Sequence, residues 1–176
     1  MAGIIKVNQY QDFNGNTLFT SDGNGKLTTQ NFSTPEFMVY STSNQSIANA
    51  THVKMQYDTV LFDSDNCWDS TNYRFTVPSG KAGKYILSTQ GRIGSLTTAK
   101  YVVCFIKING TTRGSFWNSN PHSGAVMMTG TVLTINLSEG DYAESYMYHD
   151  YGSARNNEPE GGVYNSTCFQ GFRIGS

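Results

Sequence analysis

The stretch from Tyr73 to Ser88, Tyr-Arg-Phe-Thr-Val-Pro-Ser-Gly-Lys-Ala-Gly-Lys-Tyr-Ile-Leu-Ser, restricts the fold more than any other part of the chain. Apolar and polar residues alternate on both sides of a turn, the period at which successive side chains of a strand point to opposite faces. Pro78, Gly80 and Gly83 stop either half from continuing as a helix. Strand, turn, strand is the reading, and it points to an antiparallel β-sandwich.

The same pattern recurs from Pro35 onward. Strands are expected over 36–41, 51–62, 73–77, 83–93, 100–109, 111–117, 125–136, 141–148 and 168–174, with Gly, Pro, Asn and Ser between them. Short strands at this spacing, with no long helical period, are the signature of a jelly roll or a related two-sheet sandwich. Asn109-Gly110, set between Phe105-Ile106-Lys107-Ile108 and Thr111-Thr112-Arg113, predicts a two-residue hairpin, because both residues accept a positive φ. Glu139-Gly140-Asp141 marks another turn. The segment from Tyr148 to Asn165 is long, polar and Gly-rich, which reads as a loop that is mobile or held by a partner. A chain of 176 residues buries roughly two-thirds of its unfolded surface, enough for one core and a modest appendage.

That appendage is the first stretch, residues 1–34. Two turn signals, Asn14-Gly15 and Asp22-Gly23-Asn24-Gly25, interrupt short apolar pieces, and Ile4-Ile5-Lys6-Val7-Asn8 reads as a further short strand. The apolar residues Ile4, Ile5, Val7, Tyr10, Phe13, Leu18 and Phe19 are too few for an independent core, so the arm is expected to gain order by packing on something else. Residues 35–176 form the main domain.

Composition excludes several function classes. Charged residues are 14% of the chain and the formal net charge is -1, so the basic footprint of a nucleic-acid binder is missing. No run of eighteen apolar residues suggests a membrane span. The start of the chain lacks the apolar core of a signal peptide, which predicts a soluble, non-exported product with no membrane partner. Cys67, Cys104 and Cys168 are odd in number and widely spaced, which predicts buried free thiols and no disulfide framework. No GxSxG elbow is present, and His52, His122 and His149 stand apart from one another. Asp63-Ser64-Asp65-Asn66 is the best calcium candidate, but without the Gly and terminal Glu of an EF-hand it reads as an acidic turn. No catalytic, cofactor-binding or metal-binding residue is assigned, and the chain is read as a non-enzyme.

Taken in order, these segments resemble the C1q/TNF-like family of trimeric jelly rolls, from about Phe37 to Ile174. Tyr73-Arg74-Phe75-Thr76-Val77-Pro78 followed by Gly83-Lys84-Tyr85-Ile86-Leu87-Ser88 is similar to the family's central strands. Ile106-Lys107-Ile108-Asn109-Gly110 is similar to its hairpin, Leu137-Ser138-Glu139-Gly140-Asp141-Tyr142-Ala143 to its "L-x-x-G-D" turn, and Cys168-Phe169-Gln170-Gly171-Phe172-Arg173-Ile174 to its closing strand. The arm from Ile5 to Gly25 resembles the leader of short bacteriophage virion proteins that end in such a domain.

The resemblance implies an all-β homotrimer. The surplus of aromatics near the C-terminal strands would then line the subunit contact, with Tyr142, Tyr146, Phe169 and Phe172 as the candidates. It further implies a structural role on the surface of a virion assembled in the host cytoplasm. There the arm would attach to the major capsid or another virion protein, and the jelly rolls would act as capsid cement or head decoration. The alternative is a tail- or head-fibre tip that binds a host-surface glycan or receptor through Tyr148, His149, Tyr151 and Arg155. Glycan stacking on exposed Tyr or Trp117 is another route to the same recognition, and a secreted C1q-like lectin or cytokine-like protein is the remaining reading.

Overall fold

The computed structural model describes residues 7–29, 34–96, 100–119, 125–160 and 166–175. The chain divides into two compact units, Met1–Ser33 and Thr34–Ser176.

In the first unit Gln9–Gln11 (β1), Thr17–Ser21 (β2) and Leu27–Thr29 (β3) form an antiparallel meander. Both connections use the same chemistry. Asp12 Oδ1 accepts the amides of Asn14 and Asn16 at 2.9 and 2.8 Å, and Asp22 Oδ1 accepts those of Asn24 and Lys26 at 2.7 and 3.0 Å. These are Asx turns, in which a short carboxylate replaces the backbone partner that a tight turn lacks. Tyr10 stacks on Phe19 with ring centroids 5.1 Å apart. Val7 and Asn8 precede β1 and belong to no strand, while Ile4 and Ile5 lie outside the described residues.

The second unit is an antiparallel two-sheet sandwich without a helix among its described residues. Its first sheet contains Glu36–Tyr40 (β4), Gln45–Ile47 (β5), Thr59–Asp63 (β7), Gly83–Leu96 (β10), Ala125–Leu137 (β13), Arg155–Asn157 (β15) and Cys168–Gly175 (β16). Strand β10 is the spine. It pairs with β13 along its whole length, with β16 from Lys84 to Gln90, and with β15 at Ile93. The second sheet contains Val53–Lys54 (β6), Trp68–Asp69 (β8), Arg74–Thr76 (β9), Tyr101–Ile108 (β11), Thr111–Ser119 (β12) and Tyr142–His149 (β14).

The strand-turn-strand segment at 73–88 does not close on itself as a hairpin. β9 pairs with β8 and β14, whereas β10 belongs to the other sheet, so the Pro78–Gly83 turn carries the chain across the sandwich. Phe75 and Tyr85 meet inside from the two sides, their rings 5.4 Å apart. Asn109-Gly110 does join a paired hairpin, β11 to β12, with φ of 50° and 78° at the two turn residues.

The core fills the space between the sheets. Phe37 stacks on Phe75 at 4.9 Å and on Trp68 at 5.7 Å, and Phe169 meets Phe37 edge-on at 5.1 Å. Close packing explains Gly171, where an added Cβ would sit 2.5 Å from Leu87 Cδ2 and 2.9 Å from Phe37 Cε1. A polar bridge also crosses the core. The Tyr57 hydroxyl donates to Ser145 Oγ at 2.9 Å and lies 3.1 Å from Thr89 Oγ1, which is 2.6 Å from Ser145 Oγ. Thr89 is on one sheet and Ser145 on the other, so these satisfied hydroxyls fix how the sheets sit together.

Candidate interaction surfaces

The three thiols and the acidic turn serve the framework. Cys67, Cys104 and Cys168 are free and buried, and burial pushes the thiols of Cys104 and Cys168 up to about 12 and about 11. Asp63 receives the Cys67 amide at 2.8 Å and the Trp68 amide at 3.1 Å, while the Cys67 thiol donates to it at 3.0 Å. The calcium candidate thus turns the chain into β8. Among the described residues no cluster of three or more potential metal ligands occurs, and there is no helix long and apolar enough to cross a membrane.

Four residues expected in recognition or assembly sit elsewhere. Phe169 is fully buried in the core and cannot touch a neighbouring subunit. Its strand parity sets this, because Thr89 and Val39, its register partners, also face inward. His149 is equally buried at the end of β14; its Nε2–H donates to the Ile47 carbonyl at 2.9 Å and its Nδ1 accepts the Tyr151 amide at 3.2 Å. Both contacts are made by the neutral ring, and burial holds its pKa below the ordinary histidine value. Tyr151 is buried, with the Arg155 guanidinium 4.5 Å above its ring. Arg155 itself opens β15, which pairs with β5, so this part of the expected loop is sheet. Residues 161–165 of that segment, and His122, lie outside the described residues.

The remaining candidates lie on two outer faces. On the second sheet Tyr142, Tyr146 and Tyr148 point outward and are half-buried. Arg74 covers Tyr142 at 4.8 Å, and Lys107 Nζ covers Tyr146 at 3.9 Å. Beside them His52 stacks on Phe105 at 4.4 Å, and Trp117 packs against Tyr101, Phe105 and Tyr148. Trp117 and Tyr101 keep 57% and 45% of their surface exposed, so this aromatic group is open at its β11–β12 end.

The first sheet presents the opposite picture. Its registers bring Phe62, Met38, Phe172, Ile86 and Val132 to one outward face, interrupted by Ser88 and Gln170. Val132 is 71% exposed and Phe172 45%. At the free edge Met128 joins Phe116, which is 55% exposed, around a shallow groove floored by Gly130. Among the four residues expected at a subunit contact, Phe172 alone offers an open ring. Phe116, Met128 and Val132 are absent from that expectation. For Met128 the signal is Ala125-Val126-Met127-Met128, an edge-strand run that is apolar on both faces.

In the first unit Val7, Tyr10, Phe13, Leu18 and Leu27 are all exposed, with Phe13 at the tip of the first turn; Phe19 is half-buried under Tyr10.

No family model matches the chain. It is 27% identical over 134 residues to the uncharacterized protein YqcC of Bacillus subtilis (strain 168), a match that takes in 69% of this chain. The chain spans about a third of the length of that curated relative, 35% of it. Two solved structures share the architecture at 13% identity. The globular domain of zebrafish complement 1qA superposes with a TM-score of 0.51, covering 78% of this chain and 93% of that one, and murine APRIL at pH 5.0 with 0.58, covering 80% and 99%. The fold is a C1q/TNF-like jelly roll. The sandwich expected from strand spacing and from Tyr73 to Ser88 is therefore the one present.

Proposed function

We propose that the protein is a non-enzymatic display protein of a bacteriophage virion. It works as a homotrimer of C1q-like jelly rolls that cements or decorates the capsid surface, with residues 1–34 attached to the major capsid or another virion protein. The observation that carries this reading is where uncovered apolar surface lies. An outward face bearing Phe62, Phe172 and Val132, continuing to an edge with Phe116 and Met128, is more than water-facing strands of a finished monomer carry. A ring of copies, each giving its edge to the next one's face, closes with every patch covered. Among its described residues the first unit has no fully buried apolar side chain and leaves Tyr10 and Phe13 exposed, as a segment completed by a partner does.

The test is truncation. Residues 35–176 are expected to remain a folded trimer by light scattering and to lose attachment to particles; a truncated form that still decorates particles overturns the attachment role, and a monomeric full chain overturns the trimer. Tail- or head-fibre recognition of a host-surface glycan is the second reading, favoured by the open rings of Trp117 and Tyr101, since exposed aromatic rings stack on sugar faces. Trp117→Ala particles that adsorb to the host as well as the parent count against it.

A further inference from the structure

At the end of the sandwich where β4 turns toward β5, a cleft of about 570 Å³ is bounded by Asn44, Gln45, Ser46, Gln56, Asp58 and Tyr73. That is the size of small-ligand sites, about 300–1,000 Å³. Part of its lining is committed to framework. The Asp58 carboxylate accepts the amides of Thr42 and Ser43 at 2.9 and 3.1 Å and the hydroxyls of Thr42 and Thr59 at 3.0 and 2.9 Å. Gln45 donates from Nε2 to the Lys54 carbonyl at 2.8 Å and accepts the Gln56 amide at 2.9 Å. The side-chain amides of Asn44 and Gln56, the Ser46 hydroxyl and the Tyr73 phenol make no hydrogen bond among the described residues, so four polar side chains bound the cleft with capacity to spare.

Tyr73 adds a second, independent feature. Its φ is +48°, a left-handed conformation that a bulky residue adopts only when its surroundings impose it. They do so here. Asp69 Oδ1 accepts the amides of Thr71 and Asn72 at 2.9 Å, Lys54 Nζ donates to the Asn72 carbonyl at 2.9 Å, and the tyrosine packs against the core cluster. The turn holds an aromatic ring at the cleft wall against a backbone cost.

The chemistry of the lining selects the ligand. It has no Arg or Lys to hold a phosphate or sulfate, and its one charge, Asp58, is already met by four donors. Val53 and the Tyr73 ring are its only apolar walls, too few for an apolar ligand. Amides, hydroxyls and a single aromatic ring suit a molecule with hydroxyls on its edge and C–H groups on its face. We propose that this cleft binds a short uncharged saccharide, with the Tyr73 ring against the sugar face and Asn44, Ser46 and Gln56 bonding its hydroxyls. The site is separate from the Trp117 face and does not depend on carriage by a particle.

The full chain, labelled and applied to an array of neutral and acidic oligosaccharides, is expected to retain neutral glycans. An amide NMR titration with a retained neutral glycan should then shift residues 43–46, 56–58 and 73. Asn44→Ala and Tyr73→Asn are expected to weaken binding tenfold or more; the second removes the ring but leaves a residue that tolerates the left-handed backbone, and its folding is checked by the unchanged amide spectrum away from the cleft. Retention of acidic glycans only, or of none, overturns the proposal. So do shifts centred on Tyr101 and Trp117, or a folded Tyr73→Asn chain that binds like the parent.

Discussion

The two outer faces of the jelly roll both carry large apolar side chains and treat most of them differently. On the β11–β14 face the chain covers the rings at the centre, Arg74 lying over Tyr142, Lys107 over Tyr146 and His52 over Phe105, and leaves only the β11–β12 end open at Trp117 and Tyr101. On the β10–β16 face Phe172, Val132 and Met128 stand exposed beside Ser88, Gln90 and Gln170. Glu36 is set opposite Phe172 and Arg92 opposite Met128, but Arg92 is drawn to Glu158 and Glu160, and among the described residues no cation lies over the Phe172 ring. A long cation over an aromatic ring gives water a charged head to solvate and keeps the apolar stem beneath. A face finished in that way can remain exposed, whereas the bare one needs protein against it. Aromatic content alone therefore does not identify the interface; what covers the aromatics does.

The largest expected effect breaks that contrast at its centre. Met128→Glu with Val132→Glu places two charges where the contact is proposed, and burying an unpaired carboxylate costs several kcal/mol, on the order of the whole contact. The mass in solution is expected to fall from trimer to monomer. Trp117→Ala, on the other face, should leave it unchanged, and the reverse result would exchange the roles of the faces.

Next comes a comparison within one strand. Phe169→Ala empties a fully buried site and is expected to cost about 3–5 kcal/mol in denaturant unfolding. Phe172→Ala, measured on the monomeric double variant, should stay within about 0.5 kcal/mol. Comparable losses at both positions would mean that the outer face is packed in the monomer as well.

This pair also shows how much the sequence could reveal. Residues 169 and 172 are an odd number apart in an unbroken strand, so they face opposite ways, and grouping both at one contact neglects the period of two. His149 was legible by the same rule, since Ala143, Ser145 and Met147 lead inward to it. The long strands and the Asn109-Gly110 hairpin could be read because alternation and turn chemistry are local. The expected strand over 51–62 is two, β6 and β7, because Met55 bonds across to Ser145 and Tyr57 enters the core between them. β5, β8 and β15 were not legible: each is two or three residues long and exists through its partner strand. The Tyr57–Thr89–Ser145 bridge leaves no local signal, since its members are far apart in sequence, and the left-handed Tyr73 needs the distant Lys54 as well as the nearby Asp69 turn.

The pH response separates interior from surface. Because burial lowers the His149 pKa, the unfolded chain takes up its proton first as the pH falls. Stability is then complete above pH ~6.5 and declines as the pH drops through the window below it, toward the lower folded value. His149→Gln is expected to cost about 1–3 kcal/mol at pH 7.5, for the bonds to Ile47 and Tyr151, and to flatten the decline in melting temperature between pH 6.5 and 5. A parent curve already flat in that window would show that the buried ring accepts the proton without cost.

The smallest effect tests the covering itself. Lys107 sits 3.9 Å from the Tyr146 ring centre, and a cation over an exposed ring contributes about 0.5–1 kcal/mol. Lys107→Met keeps much of the apolar stem and removes the charge, so unfolding should become easier by that amount and no more. The same change reports electrostatically, because desolvation first and Lys107 second hold the His52 pKa below its ordinary value. Removing the lysine removes only the second cause, so an NMR titration of His52 should move upward and stop short of the unperturbed value. An unmoved His52 would place the ammonium away from this face in solution. Tyr146 would then be as bare as Phe172, and the contrast between the two faces would lose its physical basis.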